Sequence, residues 1–244
     1  TLWAKAFGTP GAEEGIGLTS TAAGDIVVAG YYNQSLTFGG ASLPAPPPGA
    51  FWAFLAKFDV NGNHVFSSSY QFMSSPMYLA ATPNGSIYMG IGFGPSAKFE
   101  GSTVNSGGVG DGALLKFTSQ GQLIKSTIFG GPMLDRVTGV ASDASGNVLV
   151  GLAFGSDIAV GSETLVLQGT SGRGVIKYNA LDELVWTRGW EAGTVGTGYL
   201  PVSASKTSLR VLVGGELSVD STIGGIATTA AGGTDGLIAS FLPQ

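Results

Sequence analysis

Four short apolar runs end in an aromatic residue at nearly constant intervals. FLAKF, ALLKF, VIKY and LIASF close on Phe58, Phe117, Tyr178 and Phe241, spaced by 59, 61 and 63 residues. A fixed period of this size marks a repeat architecture, in which each unit is one supersecondary motif unable to bury its apolar face alone. The fold class then follows from what one unit contains.

Each unit carries the same signals in the same order. First comes a run with aromatics four residues apart: Trp3 and Phe7, Phe66 and Tyr70, Trp186 and Trp190. In LIKSTIF only Phe129 is kept, with Lys125 at the other place. Residues i and i+4 of a strand share one face, so the paired rings lie on one side. Next a small-residue run turns into a β-branched run: IGLTST-AAGD-IVVAGY, MYLAAT-PNGS-IYMGIG, VTGVASD-ASGN-VLVGLA and, without the glycine, YLPVSA-SKTS-LRVLVG. Gly and Asn accept the positive φ of tight turns, so each pair predicts an antiparallel hairpin. A polar, Gly-rich insert follows, with an inner echo that places Phe38, Phe99, Val160 and Ile223 at matching positions. The FLAKF-type strand and a short turn (DVNGN, TSQGQ, NALDE) close the unit.

Four strands per unit, joined as a meander, are the anatomy of a propeller blade. Short strands separated by turn clusters exclude a helical solenoid. The expected architecture is all-β: one four-bladed β-propeller domain over 1–244, with blades at 9–72, 73–131, 132–191 and 192–244. The small-residue strand is innermost, where Ala80, Ala81, Gly139, Ala141, Ser203 and Ala204 suit a crowded axis. Residues 2–8 supply the aromatic strand that the last repeat lacks, so pairing with 235–242 closes the ring and removes an open edge. The alternative is half of an eight-bladed ring, or a dimer that closes one.

Composition agrees and narrows the partners. Charged residues make up 11% of the chain and 41 of 244 residues are Gly, against about 25% charged residues in a typical soluble domain. The net charge of −5, with Lys and Arg scattered singly, excludes a basic stripe for nucleic acid. Uninterrupted apolar runs stay well short of the roughly 18 residues of a spanning helix. With no Cys, disulfides, thiolate catalysis and Cys-based metal sites are ruled out. From its first residue, Thr1 rather than Met, the chain is expected to be a processed or excised piece.

The units resemble the β-propeller repeats of secreted bacterial proteins, abundant in myxobacteria. The likeness rests on Asp143 through Gly146 and Asn147, on Phe38, Gly39 and Gly40, on Gly110 and Asp111, on Gly233, Thr234 and Asp235, and on Lys57, Phe58 and Asp59 with Lys116 and Phe117. Ser240 departs from the pattern where Lys is usual, and Arg173 stands where repeats two and four have Asp. The resemblance covers the whole chain through structural turns and strands. It implies an extracellular or cell-surface bacterial β-propeller and implies no reaction.

Candidate chemistry is sparse. His64 is the single histidine, and no G-x-S-x-G elbow accompanies it to suggest a nucleophilic relay. The acidic pairs Glu13–Glu14 and Asp182–Glu183 fall in turns, where neighbouring carboxylates point apart into water, and so give no pair of the kind glycoside hydrolysis needs. The turns at 59–63 and 143–147 look like half a calcium loop but lack its bidentate Glu. They read as β-turns and leave open a weak calcium site; no cofactor is otherwise expected. The sequons at Asn33 and Asn84 carry no weight in a bacterial chain. The proline patch at 43–48 stiffens a loop found in repeat one alone.

One asymmetry remains. Short turns fall on one side of a meander ring and the long inserts (31–50, 92–111, 153–173, 217–234) on the other. Loops on a rigid scaffold tend to carry function. The expected function is a non-catalytic binding module that recognises a protein or glycan through the long-loop side. Tyr32 and Trp52 are the candidates for exposure beside the proline loop, with Tyr31, Phe93 and Phe154 as further ligand-binding candidates and Phe51 and Trp190 as further rings on that side. Self-association in an outer layer or filament is a second class. An enzyme with its site at the axial channel, near Asp143 and Thr82, is a third.

Overall fold

The computed structural model describes residues 3–72, 74, 76–99, 101–193, 201–204, 211–231 and 235–241. Every regular element among them is a strand. The first repeat forms β1 (Glu13–Ser20), β2 (Ile26–Tyr32), β3 (Trp52–Phe58) and β4 (His64–Tyr70), an antiparallel sheet in chain order. The second forms β5 (Tyr78–Ala81), β6 (Ile87–Phe93), the insert ribbon β7 (Ser96–Phe99) and β8 (Ser102–Asn105), then β9 (Asp111–Phe117) and β10 (Leu123–Phe129). The third forms β11 (Arg136–Ser142), β12 (Val148–Phe154), the ribbon β13 (Ile158–Val160) and β14 (Glu163–Leu165), then β15 (Gly172–Tyr178) and β16 (Leu184–Glu191). The fourth forms β17 (Val202–Ala204), β18 (Val211–Leu217), the ribbon β19 (Ser221–Ile223) and β20 (Ile226–Thr228), and β21 (Asp235–Phe241). The main sheets run β5-β6-β9-β10, β11-β12-β15-β16 and β17-β18-β21.

The meander expected from the turns is therefore present in each repeat. Gly24, Gly85 and Gly146 take φ of 85°, 87° and 82° in the hairpin turns, where a side chain would be strained. The insert echo is a small ribbon in repeats two to four and an isolated Leu36–Leu43 bridge in repeat one. Phe38, Phe99, Val160 and Ile223 are all buried, so the echo marks a plug that folds each insert back onto its sheet.

Successive sheets stack face to face. Val27, Ala29 and Leu55 on the forward face of the first sheet pack against Leu79, Met89 and Leu115 on the rear face of the second. Tyr88 and Leu114 then meet Val140, Val150 and Ile176 of the third sheet. Leu149 and Val175 meet Val211, Val213 and Leu237 of the fourth. On the forward faces these are the same repeat positions each time, and on the rear faces Met89, Val150 and Val213 are equivalent. Burial of one such side chain contributes roughly 1.5–3 kcal/mol, so these faces dominate the packing. The small-residue strands touch in order, β1 to β5 to β11 to β17.

The outer rings reach forward in the same way. Tyr70 lies 5.2 Å from Phe117, Trp186 lies 6.1 Å from Phe241, and Phe7 lies 5.3 Å from Phe58. Residues 3–8 thus hold, toward the first sheet, the place that β4 holds toward the second. They form no strand, however, and the described partner of β21 is β18. The expected pairing of residues 2–8 with 235–242 is absent among the described residues because the run is held by its own first sheet: Trp3 Nε1 donates to Val60 O at 3.0 Å and Phe7 sits on Phe38 and Phe58. Leu2, Leu242, the SKTS turn at 205–208, and Gly233 with Thr234 lie outside the described residues.

Candidate functional site

The aromatic candidates divide by strand parity. Along β2, Tyr32 falls on the rear face with Val28 and Gly30, and the proline loop folds over it. Its hydroxyl donates to Pro44 O at 2.9 Å, and the ring is fully buried with Leu36, Phe38 and Leu43. The expectation that Tyr32 is exposed is therefore corrected: the loop that was to display it covers it. Trp52, opposite Tyr32 in the register, is half-buried against the same cluster. Tyr31 points the other way and is half-buried. Its hydroxyl donates to Glu14 Oε2 at 2.6 Å, and its ring meets Phe51 edge-on at 5.3 Å. Phe93 and Phe154 are buried core residues; Phe93 meets Phe99 edge-on at 5.3 Å. Trp190 is buried as well.

Phe93 nevertheless lies at the edge of a 310 Å³ cleft on the long-loop side, between the second and third sheets. The end of β6 supplies Phe93, the insert's return supplies Val109 and Gly110, and the approach to β11 supplies Leu134, Asp135 and Arg136. Val109, Met133 and Leu134 are exposed beside or within this cleft. The two walls are tied together, since Asp135 N donates to Gly110 O at 2.8 Å. Buried Asp135 accepts from Gly131 N at 2.7 Å and Gly155 N at 3.0 Å. Burial pushes its carboxyl above the usual range, the two backbone donors oppose this, and the Asp111 charge adds to it. Asp111, also buried, accepts from Gly107 N at 2.9 Å through Oδ2, while its Oδ1 has no hydrogen-bond partner. The result is a preformed slot lined by apolar side chains together with Arg136 and buried Asp135.

Sequence reasoning missed Val109, Leu134 and Arg136 because they follow no periodic pattern. The available signal was MLDR, an apolar pair beside opposite charges just before a small-residue strand.

Elsewhere polar groups stitch turns. Asp59 accepts from Asn61 N and Asn63 N at 2.8 Å and from Asn63 Nδ2 at 2.9 Å, bonds that hold its carboxyl below the usual range. Asp143 makes the equivalent set with Ser145 and Asn147. Thr82 and Asp143 belong to hairpin turns that meet around a 190 Å³ cleft on the short-turn side, where Thr82 Oγ1 is engaged by Asn84 Oδ1 and Ser86 O. His64 is half-buried beside Gly40, with Nε2 3.1 Å from Ser67 Oγ. Among the described residues no group of three or more His, Asp or Glu side chains is placed to hold a metal ion. Among them, too, no helix is long and apolar enough to cross a membrane.

Neither a protein-family model nor a curated protein matches this chain. Among solved structures it is similar to a protein of unknown function from Bacteroides caccae. The two share 12% identity over 72% of this chain and 81% of that one, with a TM-score of 0.28. So loose a likeness shows neither fold nor function.

Proposed function

We propose that the four sheets are blades of a β-propeller, and that the chain is a non-catalytic bacterial cell-surface or secreted module that binds a protein segment through its long-loop side. The propeller reading is supported by the ordered contacts of β1, β5, β11 and β17 and by the repeated forward-to-rear packing of the sheets. The binding reading is carried by the cleft between the second and third sheets. Its exposed apolar lining of Val109 and Leu134, with exposed Met133 next in the chain and with Arg136 and buried Asp135 in the same cleft, suits an extended peptide with apolar side chains and an acidic group. Selection of displayed peptides on the immobilised chain tests this. Binders whose affinity drops about tenfold or more in Leu134→Asp and Arg136→Glu support it. Binders indifferent to both substitutions, or no binders, defeat it.

A glycan is the second reading, favoured by the half-exposed Tyr31–Phe51 pair beside Glu14, since aromatic faces and a carboxylate are a common sugar platform. Binding on a glycan array that is lost in Tyr31→Ala and retained in Leu134→Asp selects it.

A further inference from the structure

Three exposed apolar side chains occupy repeat positions that are buried or half-buried in the internal sheet contacts. Leu18 of β1 is 68% exposed, yet its counterparts Leu79 and Val140 are buried beneath the preceding sheet. Leu212 of β18 and Ile238 of β21 are 44% and 88% exposed, although their counterparts Tyr88 and Leu149, and Leu55, Leu114 and Val175, are buried beneath the following sheet. The equivalence is fixed by register: Leu18 faces Val28 as Leu79 faces Met89, and Ile238 faces Gly214 as Leu114 faces Gly90. The rear face of the first sheet and the forward face of the fourth are therefore the two halves of a contact this chain makes three times internally. Among the described residues, Leu18 on the first and Leu212 and Ile238 on the second stay exposed.

We infer that a second copy of the chain covers them, the fourth sheet of each copy stacking on the first sheet of the other. Two such head-to-tail contacts form at once about a two-fold axis and close an eight-sheet ring. The inference extends the propeller reading and is independent of what the cleft binds. Three details fit it. The rear face of the first sheet keeps an open groove of 150 Å³, in which Phe7, Val28, Leu36, Phe38 and Phe54 offer apolar surface to an isoleucine and Glu13 and Glu14 form the polar side. Residues 3–8 already sit where the outer strand of a preceding blade belongs, and the edge of β21 away from β18 has no described partner, so the run of one copy can extend the sheet of the other. Charge agrees as well. Lys116 faces forward to Asp182 of the next repeat, whereas the fourth sheet has Ser240 at that place and the first sheet has Gly62 where Asp182 would stand.

Sedimentation equilibrium over a concentration series tests this on the full chain. The expected mass is twice the 24.6 kDa of one chain. Leu18→Asp and Ile238→Asp should each weaken pairing by about a hundredfold, because an apolar contact at the centre of an interface is replaced by a buried charge. Both sites are exposed in one chain, so both variants should keep the β-sheet circular dichroism of the parent. Mixing the two variants should restore dimer in part, since the undamaged fourth sheet of one meets the undamaged first sheet of the other. A mass of 24.6 kDa at every concentration overturns the inference and points to closure within one chain. Open-ended growth, or dimers untouched by both substitutions, overturns it too.

Discussion

Lys125 Nζ lies 3.9 Å from Asp182 Oδ2, at the repeat position where Trp3 instead lies against Gly62 and Phe66 against Gly121. Gly62, Gly121 and Asp182 share a positive φ, of 80°, 78° and 62°, at the same place in the turn that closes each unit. In two contacts a ring from the preceding outer strand, or from the 3–8 run that stands in its place, covers a bare glycine. In the third, a lysine from that strand meets a carboxylate. The exchange is coupled, because a Cβ on Gly121 would come within 2.3 Å of the Phe66 ring.

Asp182 then joins two sheets. It accepts from Lys116 Nζ and from Tyr88 Oη, both at 2.6 Å, across the contact between the second and third repeats. Burial, together with the donation to Asp182, pushes the Tyr88 hydroxyl up to about 12. Asn tolerates a left-handed φ as Asp does, so Asp182→Asn removes the charge without added strain. It should cost about 1–3 kcal/mol in chemical denaturation, the penalty of leaving buried donors poorly matched. In a cycle with Lys116→Met the two substitutions should couple by about 1 kcal/mol or more. Strict additivity would show that the pair does not bridge the sheets.

Half-buried Asp182 and buried Asp135 act oppositely with pH. For Asp182, burial raises the pKa, but Lys116, Tyr88 and Lys125 outweigh it and hold the group below its ordinary 3.8. Its contribution is complete above the unfolded value and is lost as pH falls through the lower folded one. Asp135 is raised, chiefly by burial. Its contribution is complete below the unfolded value and fades as pH rises through the higher folded one. Melting temperatures across pH should therefore show the Asp182→Asn penalty vanishing in acid below about pH 3.8. The Asp135→Asn variant should lose the slope just above it. A penalty at Asp182 that is constant with pH would contradict the assignment.

Gly90 and Gly214 hold one repeat position in different surroundings. A Cβ on Gly90 would come within 2.4 Å of Val137 Cγ1 and 2.5 Å of Val140 Cγ2, whereas one on Gly214 meets Pro201 Cγ at 3.3 Å. Gly90→Ala should destabilise by about 1–3 kcal/mol through overpacking, and Gly214→Ala by less than about 1 kcal/mol in the isolated chain. Equal penalties would mean the two faces are equally covered.

Much of this was legible in the sequence and some was not. Period, turn chemistry and strand alternation located the hairpins at Gly24, Gly85 and Gly146, because each rests on local φ requirements. The echo residues Phe38, Phe99, Val160 and Ile223 were visible as a pattern, though their role as plugs needed the third dimension. Tyr32 was misjudged for the same reason: a loop's return path is set by long-range packing on Leu36 and Leu43, not by its own composition. The loss of an aromatic at Lys125 and of a glycine at Asp182 were both readable, and only their contact reveals one coupled change. Val109 and Leu134 lie on aperiodic connections, where sequence offers no register, and Arg136 opens β11 directly after one of them.

The stacking of successive sheets is tested most directly by nuclear Overhauser contacts from the Gly90 Hα protons. Strong cross-peaks to the methyls of Val137 and Val140 are expected, since these side chains press on the Gly90 backbone from the next sheet. Their absence, or contacts from Gly90 to methyls within its own sheet alone, would contradict the stacked arrangement.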